Sequence, residues 1–376
     1  MIIGLPRSLT PDEFRAALPP RAVGNLTRLG AEVLLERGAG AGAGFADDAY
    51  AAAGARVVGE VDELYTRSDV LLMVDRPDPA RLDLLHEGQV LMAMLHLAAG
   101  DPAVVDALLA RGCTAIDFAT IQDERGNLPA LRPLSQIAGR MVPQIAARYL
   151  QTDHGGLGIL LGGAPAVPPA EVVVIGAGTV GRNAVRACVG SGARVTLLDT
   201  DFDRISEIDW AFPGQVTTFR ANEATLRKVL GYADVVVGAV LIPGSRTPHL
   251  VTKEMVGLLR DKSLIIDISI DQGGCFATSR PTRLSDPTYV VDGITHFCVP
   301  NLTSLVARSA TYALTNAIQP YVTAVARDGI AAAVAADPHL ARGVNVHAGR
   351  ITHPGLAAAR GVAAAPLVPG GPGGDA

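Results

Sequence analysis

The chain has 376 residues, of which 49% are hydrophobic and 18% are charged, and its formal net charge is −5. This length and composition predict a compact globular protein with two domains. The small negative charge excludes a protein that recognises nucleic acid or an anionic membrane surface mainly through basic residues. No apolar run reaches the roughly 18–20 residues of a membrane span.

The N-terminus and the cysteines predict a cytoplasmic location. The first ten residues read as one short strand followed by polar residues, which is not a secretory signal. The four cysteines fit no metal-binding spacing, so we expect free buried thiols in a reducing cytoplasm. They are Cys113, Cys188, Cys275 and Cys298.

Short strands and helices are predicted to alternate up to about residue 130. The glycine-rich run at 38–44 is expected to be a flexible loop. This alternation is typical of an α/β unit, here without a glycine fingerprint. Strands are predicted at 1–5, 31–36, 56–58, 70–74, 90–95 and 114–117, and helices at 20–29, 47–53 and 101–111.

A long helix at 131–150 is predicted to lead into a second α/β unit, with Pro143 inside it. Further strands are expected within 171–199, 233–244, 263–274 and 289–301. One or two helices between 308 and 336 should return the chain to the first unit. The predicted domains are therefore residues 1–130 with 308–376, and residues 131–307. The tail after about residue 355 is expected to be disordered.

The most informative segment is 171–199, which reads EVVVIGAGTVGRNAVRACVGSGARVTLLD. An apolar strand leads into Gly176, Gly178 and Gly181 at G-x-G-x-x-G spacing, and a helix and a second strand ending at Asp199 follow. The glycines permit a tight turn, the approach of a pyrophosphate and close helix packing. Asp199 would bind ribose hydroxyls and repel a 2′-phosphate. The segment predicts a Rossmann domain that binds NAD rather than NADP; the alternative is an ordinary βαβ unit with a glycine turn.

Several further segments resemble the alanine dehydrogenase family, and the likeness extends from residue 1 to about 350. They include EFRAALPP at 13–20, GQVLMAMLHLAA at 88–99, LSQIAGR at 134–140 and DISIDQGGCFATSRPT at 267–282. The NAD-binding subunit of the proton-translocating transhydrogenase is similar in much of the same sequence. The resemblance implies an α/β fold of two Rossmann-like domains with the active site in the cleft between them. It also implies reversible oxidative deamination of L-alanine to pyruvate and ammonia with NAD, by a homo-oligomer that is typically a hexamer.

The resemblance assigns roles to individual residues. Residues 1–130 with 308–376 would form the substrate domain, and 131–307 the NAD-binding domain. Arg15 would bind the substrate carboxylate, His96 would be the acid/base, and Asp271 would help to activate water or ammonia. No metal is implied. The residues expected to line the NAD site are Ser135, Gly176, Gly178, Thr179, Val180, Gly181, Asp199, Arg204, Ala239, Val240, Leu241, Ile268, Asp271, Val299 and Asn301.

One departure from the family pattern lies at the end of the strand at 70–74. The family has a substrate-contacting lysine there, whereas this chain has Asp75 and no lysine before Lys228. Arg76 follows and is expected to point to the opposite face of the strand. A carboxylate at position 75 beside Arg15 would favour a substrate with an extra cationic group over a plain small 2-oxo acid, unless Asp75 is simply a solvated strand-end residue. The loop at 298–314 also departs from the family, at Pro300, Leu302, Thr303 and Ala307.

Three functions are consistent with these residues. The first is an NAD-dependent amino-acid dehydrogenase, acting on alanine or on another amino acid or imine. The second is an NAD-retaining lyase or cyclodeaminase, in which the hydride is removed and later returned. The third is a non-catalytic NAD-binding paralogue, which the retention of Arg15, His96 and Asp271 opposes.

Overall fold

The computed structural model describes residues 1–368, and the chain falls into two compact units. The first comprises Met1–Leu134, Pro243–Ser245 and the residues from Thr303 onward, and the second comprises Ser135–Ile242 and Arg246–Leu302. Each unit is built on one β-sheet. The sheets and helices therefore position two separate sets of candidate residues.

Most predicted strands are present within a residue or two of their expected ends. In chain order they are β1 (Ile2–Leu5), β2 (Glu32–Glu36), β3 (Arg56–Val58), β4 (Val70–Asp75), β5 (Val90–Met94), β6 (Thr114–Asp117), β7 (Glu171–Ile175), β8 (Arg194–Asp199), β9 (Val216–Arg220), β10 (Val235–Gly238), β11 (Leu264–Asp267), β12 (Thr288–Val291), β13 (Ile294–Phe297), β14 (Val344–His347) and β15 (Arg350–Ile351).

The helices follow the strands in both units. They are α1 (Pro20–Arg28), α2 (Asp47–Ala52), α3 (Val61–Arg67), α4 (Pro102–Ala110), α5 (Arg132–Tyr149), α6 (Thr179–Gly190), α7 (Phe202–Ala211), α8 (Glu223–Leu230), α9 (Lys253–Val256), α10 (Ala307–Asp328), α11 (Ile330–Ala336), α12 (Pro338–Arg342) and α13 (Pro354–Ala359). The predicted helix at 131–150 is present as α5, with Pro143 inside it.

Both sheets have the strand order of a Rossmann fold. The first runs β15-β14-β6-β5-β4-β1-β2-β3 and the second runs β12-β13-β11-β10-β7-β8-β9. In each, the central strands are parallel and the order reverses at one point, between β1 and β4 or between β7 and β10. Ligands of such sheets bind beyond the carboxyl ends of the strands at this switch point. The predicted class, α/β with two Rossmann-like domains, is confirmed.

The central strands are continuous apolar runs because helices cover both faces of a parallel sheet. β5 (VLMAM) and β10 (VVVG) are buried at every position. Val173, Val236 and Ile265 on adjacent strands of the second sheet share one buried cluster with Leu226 and Val229 of α8. Each such side chain contributes about 1.5–3 kcal/mol by its burial, so the sheet centres hold the loops at their carboxyl edges in place.

Two expectations are corrected. The glycine run at 38–44 is packed rather than flexible: a Cβ on Gly40 would lie 2.4 Å from the ring of Tyr50, and one on Gly42 would lie 2.7 Å from the carbonyl oxygen of Phe14. Small residues here permit close packing. The tail does not become disordered at about 355, because α13 buries Leu356 completely and the N–H of Ala365 donates to the carbonyl of Ile351 at 2.8 Å. Residues 369–376 lie outside the described residues. The sequence reading also missed α3, which has only seven residues.

Candidate functional site

The glycine turn lies at the switch point of the second sheet, between β7 and α6. Gly176 has φ +105°, and a Cβ there would lie 2.4 Å from the carbonyl oxygen of Ala239. A Cβ on Gly181 would lie 1.7 Å from the carbonyl oxygen of Gly176, whereas one on Gly178 would meet nothing within 4 Å. Two glycines therefore permit close backbone packing and the third leaves open space before the N-terminus of α6. This geometry fits a dinucleotide pyrophosphate.

Asp199 ends β8 beside this turn. Its side chain is buried, one carboxylate oxygen accepts the N–H of Ala177, and the other accepts the N–H of Asp201 at 2.8 Å. The carboxylate is thus fixed against the glycine turn by two backbone donors. That is the position from which an acid can accept hydrogen bonds from ribose hydroxyls.

The other residues expected at the NAD site follow neighbouring strands of the same sheet. Ala239, Val240 and Leu241 follow β10, Ile268 and Asp271 lie in the 3₁₀ turn Ile268–Gln272 after β11, and Val299 and Asn301 follow β13. The N–H of Val240 donates to Ser269 Oγ at 3.0 Å, which joins the first two of these loops. Parallel strands bring these loops to one edge of the sheet.

Ser135 and Arg204 are less directly placed by the sheet. Ser135 lies in the first turn of α5, and that helix approaches α6 closely, since a Cβ on Gly139 would lie 2.3 Å from the carbonyl oxygen of Val180. Arg204 lies on α7, half exposed, with its Nε 3.2 Å from Asp201. Arg204 is therefore engaged with its own helix N-terminus.

In the first unit, a small cavity lies at the switch point between β1 and β4. It has a volume of about 20 Å³, and its lining includes residues 6–9 after β1, residues 73–76 at the end of β4, and Arg15. This volume accommodates about one water molecule. Arg15 and Asp75 line it together, as expected, and Arg76 lines it too. β4 ends at Asp75, so Arg76 follows the strand, and the direction of its side chain stays a prediction.

Arg15 is held by a residue that the sequence reading overlooked. Its Nε lies 2.8 Å and its Nη2 2.5 Å from the two carboxylate oxygens of Glu13, and its Nη1 donates to Thr303 Oγ1 at 3.1 Å. The Glu13 side chain is fully buried and that of Arg15 is 9% exposed. The charge of Arg15 is therefore compensated within the protein. The sequence DEFR carried the signal, since an acid two residues before an arginine can pair with it.

Asp75 is not a solvated strand-end carboxylate. It accepts hydrogen bonds from the hydroxyls of Thr10 and Ser8, the latter at 3.2 Å. Burial raises the pKa of the Asp75 carboxyl above its usual value, and the nearby Glu13 raises it further. Among the arginines that line the cavity, Arg81 is paired with Glu36 at 2.7 Å. Asp75 is thus a partly buried acid in the wall of the cavity.

His96 follows β5 at the same edge of the first sheet, because Asp75 and Met94 are partners in the β4–β5 pairing. Its backbone has φ +45°, a left-handed conformation that is uncommon for non-glycine residues, although histidine is among those enriched in it. Its Nδ1 is buried and has no hydrogen-bond partner within residues 1–368. The carboxylate of Asp117, which the sequence reading also overlooked, accepts the His96 N–H at 2.8 Å.

Other kinds of site find no support in the part of the chain that the structure describes. No group of three or more potential metal ligands occurs within residues 1–368, and no helix there is long and apolar enough to cross a membrane. All four cysteines fall in this part, where they are buried and form no disulfide.

Two Rossmann-ordered sheets, one with a glycine turn beside a buried acid, are typical of nucleotide-dependent dehydrogenases. Models of the alanine dehydrogenase/PNT N-terminal and C-terminal domains match residues 4–138 and 142–354. The chain belongs to the alanine dehydrogenase/PNT family and is an NAD-dependent oxidoreductase of the alanine dehydrogenase type.

Individual relatives agree with this assignment. An alanine dehydrogenase of Mycobacterium tuberculosis is 43% identical over 96% of this chain and 97% of its own length. A solved structure of an L-alanine dehydrogenase is 40% identical, with a TM-score of 0.87 over 96% of this chain and 99% of the other. A transhydrogenase structure from Sinorhizobium meliloti, 24% identical with a TM-score of 0.76 over 94% of this chain and 99% of the other, shares the fold.

Proposed function

We propose that this protein catalyses the reversible, NAD-dependent oxidative deamination of an amino acid. The observation that supports it most directly is the glycine turn with Asp199 beside it, in a chain 43% identical to an alanine dehydrogenase. The amino acid, water and NAD⁺ would give the 2-oxo acid, ammonium, NADH and a proton. A 2′-phosphate would meet the fixed Asp199 carboxylate, so NAD is preferred over NADP.

Different residues of the chain would bind NAD, transfer the proton and bind the substrate. The N–H groups of Thr179 and Val180 at the start of α6 would bind the pyrophosphate of NAD, which supplies the hydride acceptor. His96 would take up and return the proton of the carbinolamine that forms when water adds to the substrate imine. Asp271 would orient that water, and Arg15 would contact the substrate carboxylate.

Asp75 sets the substrate class in this proposal. A partly buried carboxylate with a raised pKa is stabilised by a cation that enters beside it, and it repels a second anion. Arg15 lowers the pKa of Asp75 by less than burial or Glu13 raises it, and Arg15 is itself paired with Glu13. The preferred substrate is therefore an amino acid with an additional amino group, such as ornithine, lysine or 2,3-diaminopropionate, rather than alanine.

Two measurements test the proposal. Calorimetry measures NAD binding by the unmodified protein and by Gly178→Ala, which should fold normally because its Cβ meets nothing but should exclude the pyrophosphate. NADH absorbance is then followed with alanine and with the three diamino acids. NADH from a diamino acid but not from alanine supports both the activity and the role of Asp75.

The other outcomes separate the alternatives. NADH from alanine alone removes the role of Asp75 but keeps the activity. Tight NAD binding without NADH from any amino acid favours a hydride-recycling lyase or cyclodeaminase, or a non-catalytic paralogue. Absence of NAD binding contradicts all of these functions.

We also propose that the protein is a cytoplasmic homo-oligomer, most simply a hexamer, because family membership supports that assembly. Light scattering coupled to size-exclusion chromatography measures its mass. A monomer at micromolar concentration contradicts the proposal.

A further inference from the structure

We propose that Asp117 is a positioning residue that holds His96 in its working orientation. The inference rests on the proposed acid/base role of His96. Asp117 ends β6, the strand next to β5, and its backbone is the register partner of Ala93. The Asp117 side chain therefore lies on the strand adjacent to the one that His96 follows.

The Asp117 side chain accepts hydrogen bonds from three backbone N–H groups. Oδ1 accepts from Leu95 at 3.0 Å and from Ala119 at 2.9 Å, and Oδ2 accepts from His96 at 2.8 Å. The residue is only 1% exposed, so water does not compete for these bonds. Both oxygens of the side chain therefore act as acceptors of backbone N–H groups.

This arrangement explains how His96 keeps φ +45°. A left-handed residue turns its N–H toward that of the preceding residue, and the pair forms a small concavity that binds an anion. Here the anion is the Asp117 side chain, which receives the N–H groups of Leu95 and His96. Without it, a histidine backbone would relax toward the ordinary regions with negative φ.

The backbone matters because the ring of His96 is not held by hydrogen bonds of its own. Nδ1 is buried and unpartnered within residues 1–368. The direction of the Cα–Cβ bond therefore decides where the imidazole lies, and Asp117 sets that direction.

A double-mutant cycle tests this coupling. Asp117→Asn keeps the size of the side chain but turns an amide NH₂ toward one of the N–H groups. We expect kcat to fall about tenfold to a hundredfold, as small misplacements of an acid/base group do, with unchanged NAD affinity and unchanged KM for the amino acid. In a His96→Ala background the same substitution should cause no further loss, because Asp117 acts through His96.

The matched control is Asp234→Asn. Asp234 is also buried and accepts a backbone N–H, that of Glu171 at 2.8 Å. It lies in the second sheet, immediately before the amino end of β10. It should leave kcat unchanged. An equal loss from Asp117→Asn in both backgrounds overturns the inference. Full activity of His96→Ala overturns instead the proposed role of His96, so the two failures are distinguishable.

A stability measurement tests the same point without activity. Glycine accepts φ +45° freely and alanine does not, so His96→Gly should unfold at a higher temperature than His96→Ala. The difference should shrink when Asp117→Asn is added, because the backbone can then leave the left-handed region. Equal unfolding temperatures of the two variants in the presence of Asp117, or an unchanged difference in its absence, would overturn the inference.

Discussion

The carboxylate of Glu13 accepts hydrogen bonds from both Nε and Nη2 of Arg15, at 2.8 and 2.5 Å. Both side chains of this pair are almost entirely buried. The edge of the guanidinium best suited to a bidentate carboxylate is thus occupied by the protein itself. A substrate carboxylate would have to approach Arg15 from the side of Nη1, which now donates to Thr303. This relationship limits what Arg15 can do for an anionic substrate.

Glu13→Gln should destabilise the protein strongly, because it leaves a buried guanidinium uncompensated. Breaking such a pair lowers the free energy of unfolding by about 3–5 kcal/mol. The control is Asp83→Asn, which breaks the pair with Arg111 in which Asp83 is fully exposed; it should leave stability almost unchanged. Urea unfolding of both variants measures the difference. Similar small losses for the two would contradict a buried, tightly coupled pair.

Asp75→Asn should change how stability depends on pH. Because the folded-state pKa of Asp75 is raised, mainly by burial, the folded protein holds this proton at pH values where the unfolded chain has lost it. The contribution of Asp75 is therefore complete below its unfolded pKa and is lost as pH rises through the folded value. Hence the stability of the variant relative to the original should increase as pH rises across that window.

Urea midpoints measured from about pH 2 to 7, a range that extends to both sides of an ordinary Asp pKa near 4, provide the test. Asp123→Asn is the opposite control, because hydrogen bonds from Asn127 lower the pKa of Asp123. Its variant should lose relative stability as pH rises. Parallel pH profiles for the two variants would show that Asp75 is not perturbed.

Asp75→Lys should raise turnover of alanine or pyruvate. It removes a repelling carboxylate and adds a cation beside the cavity, and a charged hydrogen bond of this kind corresponds to about tenfold or more. Asp75→Asn separates the two effects, because it removes the repulsion without adding charge. Steady-state NADH kinetics give kcat/KM for both. No gain from lysine would contradict the substrate role proposed for Asp75.

Gly181→Ala should abolish NAD binding and lower stability, because its Cβ would lie 1.7 Å from the carbonyl oxygen of Gly176. Gly190→Ala, in the same helix, meets nothing within 4 Å and should bind NAD normally. Alanine is favoured over glycine in helices by up to about 1 kcal/mol, so this control should be as stable as the original or slightly more. Thermal unfolding and calorimetry compare the two. Equal NAD affinity in both variants would remove the glycine turn from the site.

Sequence reasoning was most successful where the physical signal is local. The apolar strand β7, the glycines at 176, 178 and 181, and Asp199 all lie within 29 residues of sequence, and the turn they form depends mainly on one another. The strands of the first unit were also visible as apolar runs. The order of those strands in the sheet has no comparable local signal, because that unit carries no glycine fingerprint after β1.

Contacts between distant residues were the least accessible. Asp117 and His96 are 21 residues apart and Arg15 and Thr303 are 288 apart, and no periodicity or composition links such pairs. The pairing of β5 with β6 and the return of the chain after β13 bring them together.

The sequence by itself determined the glycine turn, the family and the presence of an acid at position 75, because each depends on which residue occupies which place. Only the tertiary structure decided that Glu13 neutralises Arg15, that burial perturbs Asp75, and that Asp117 holds the backbone of His96. Those properties arise from desolvation and hydrogen bonding between strands and loops far apart in the chain, which exist only once the sheets have formed.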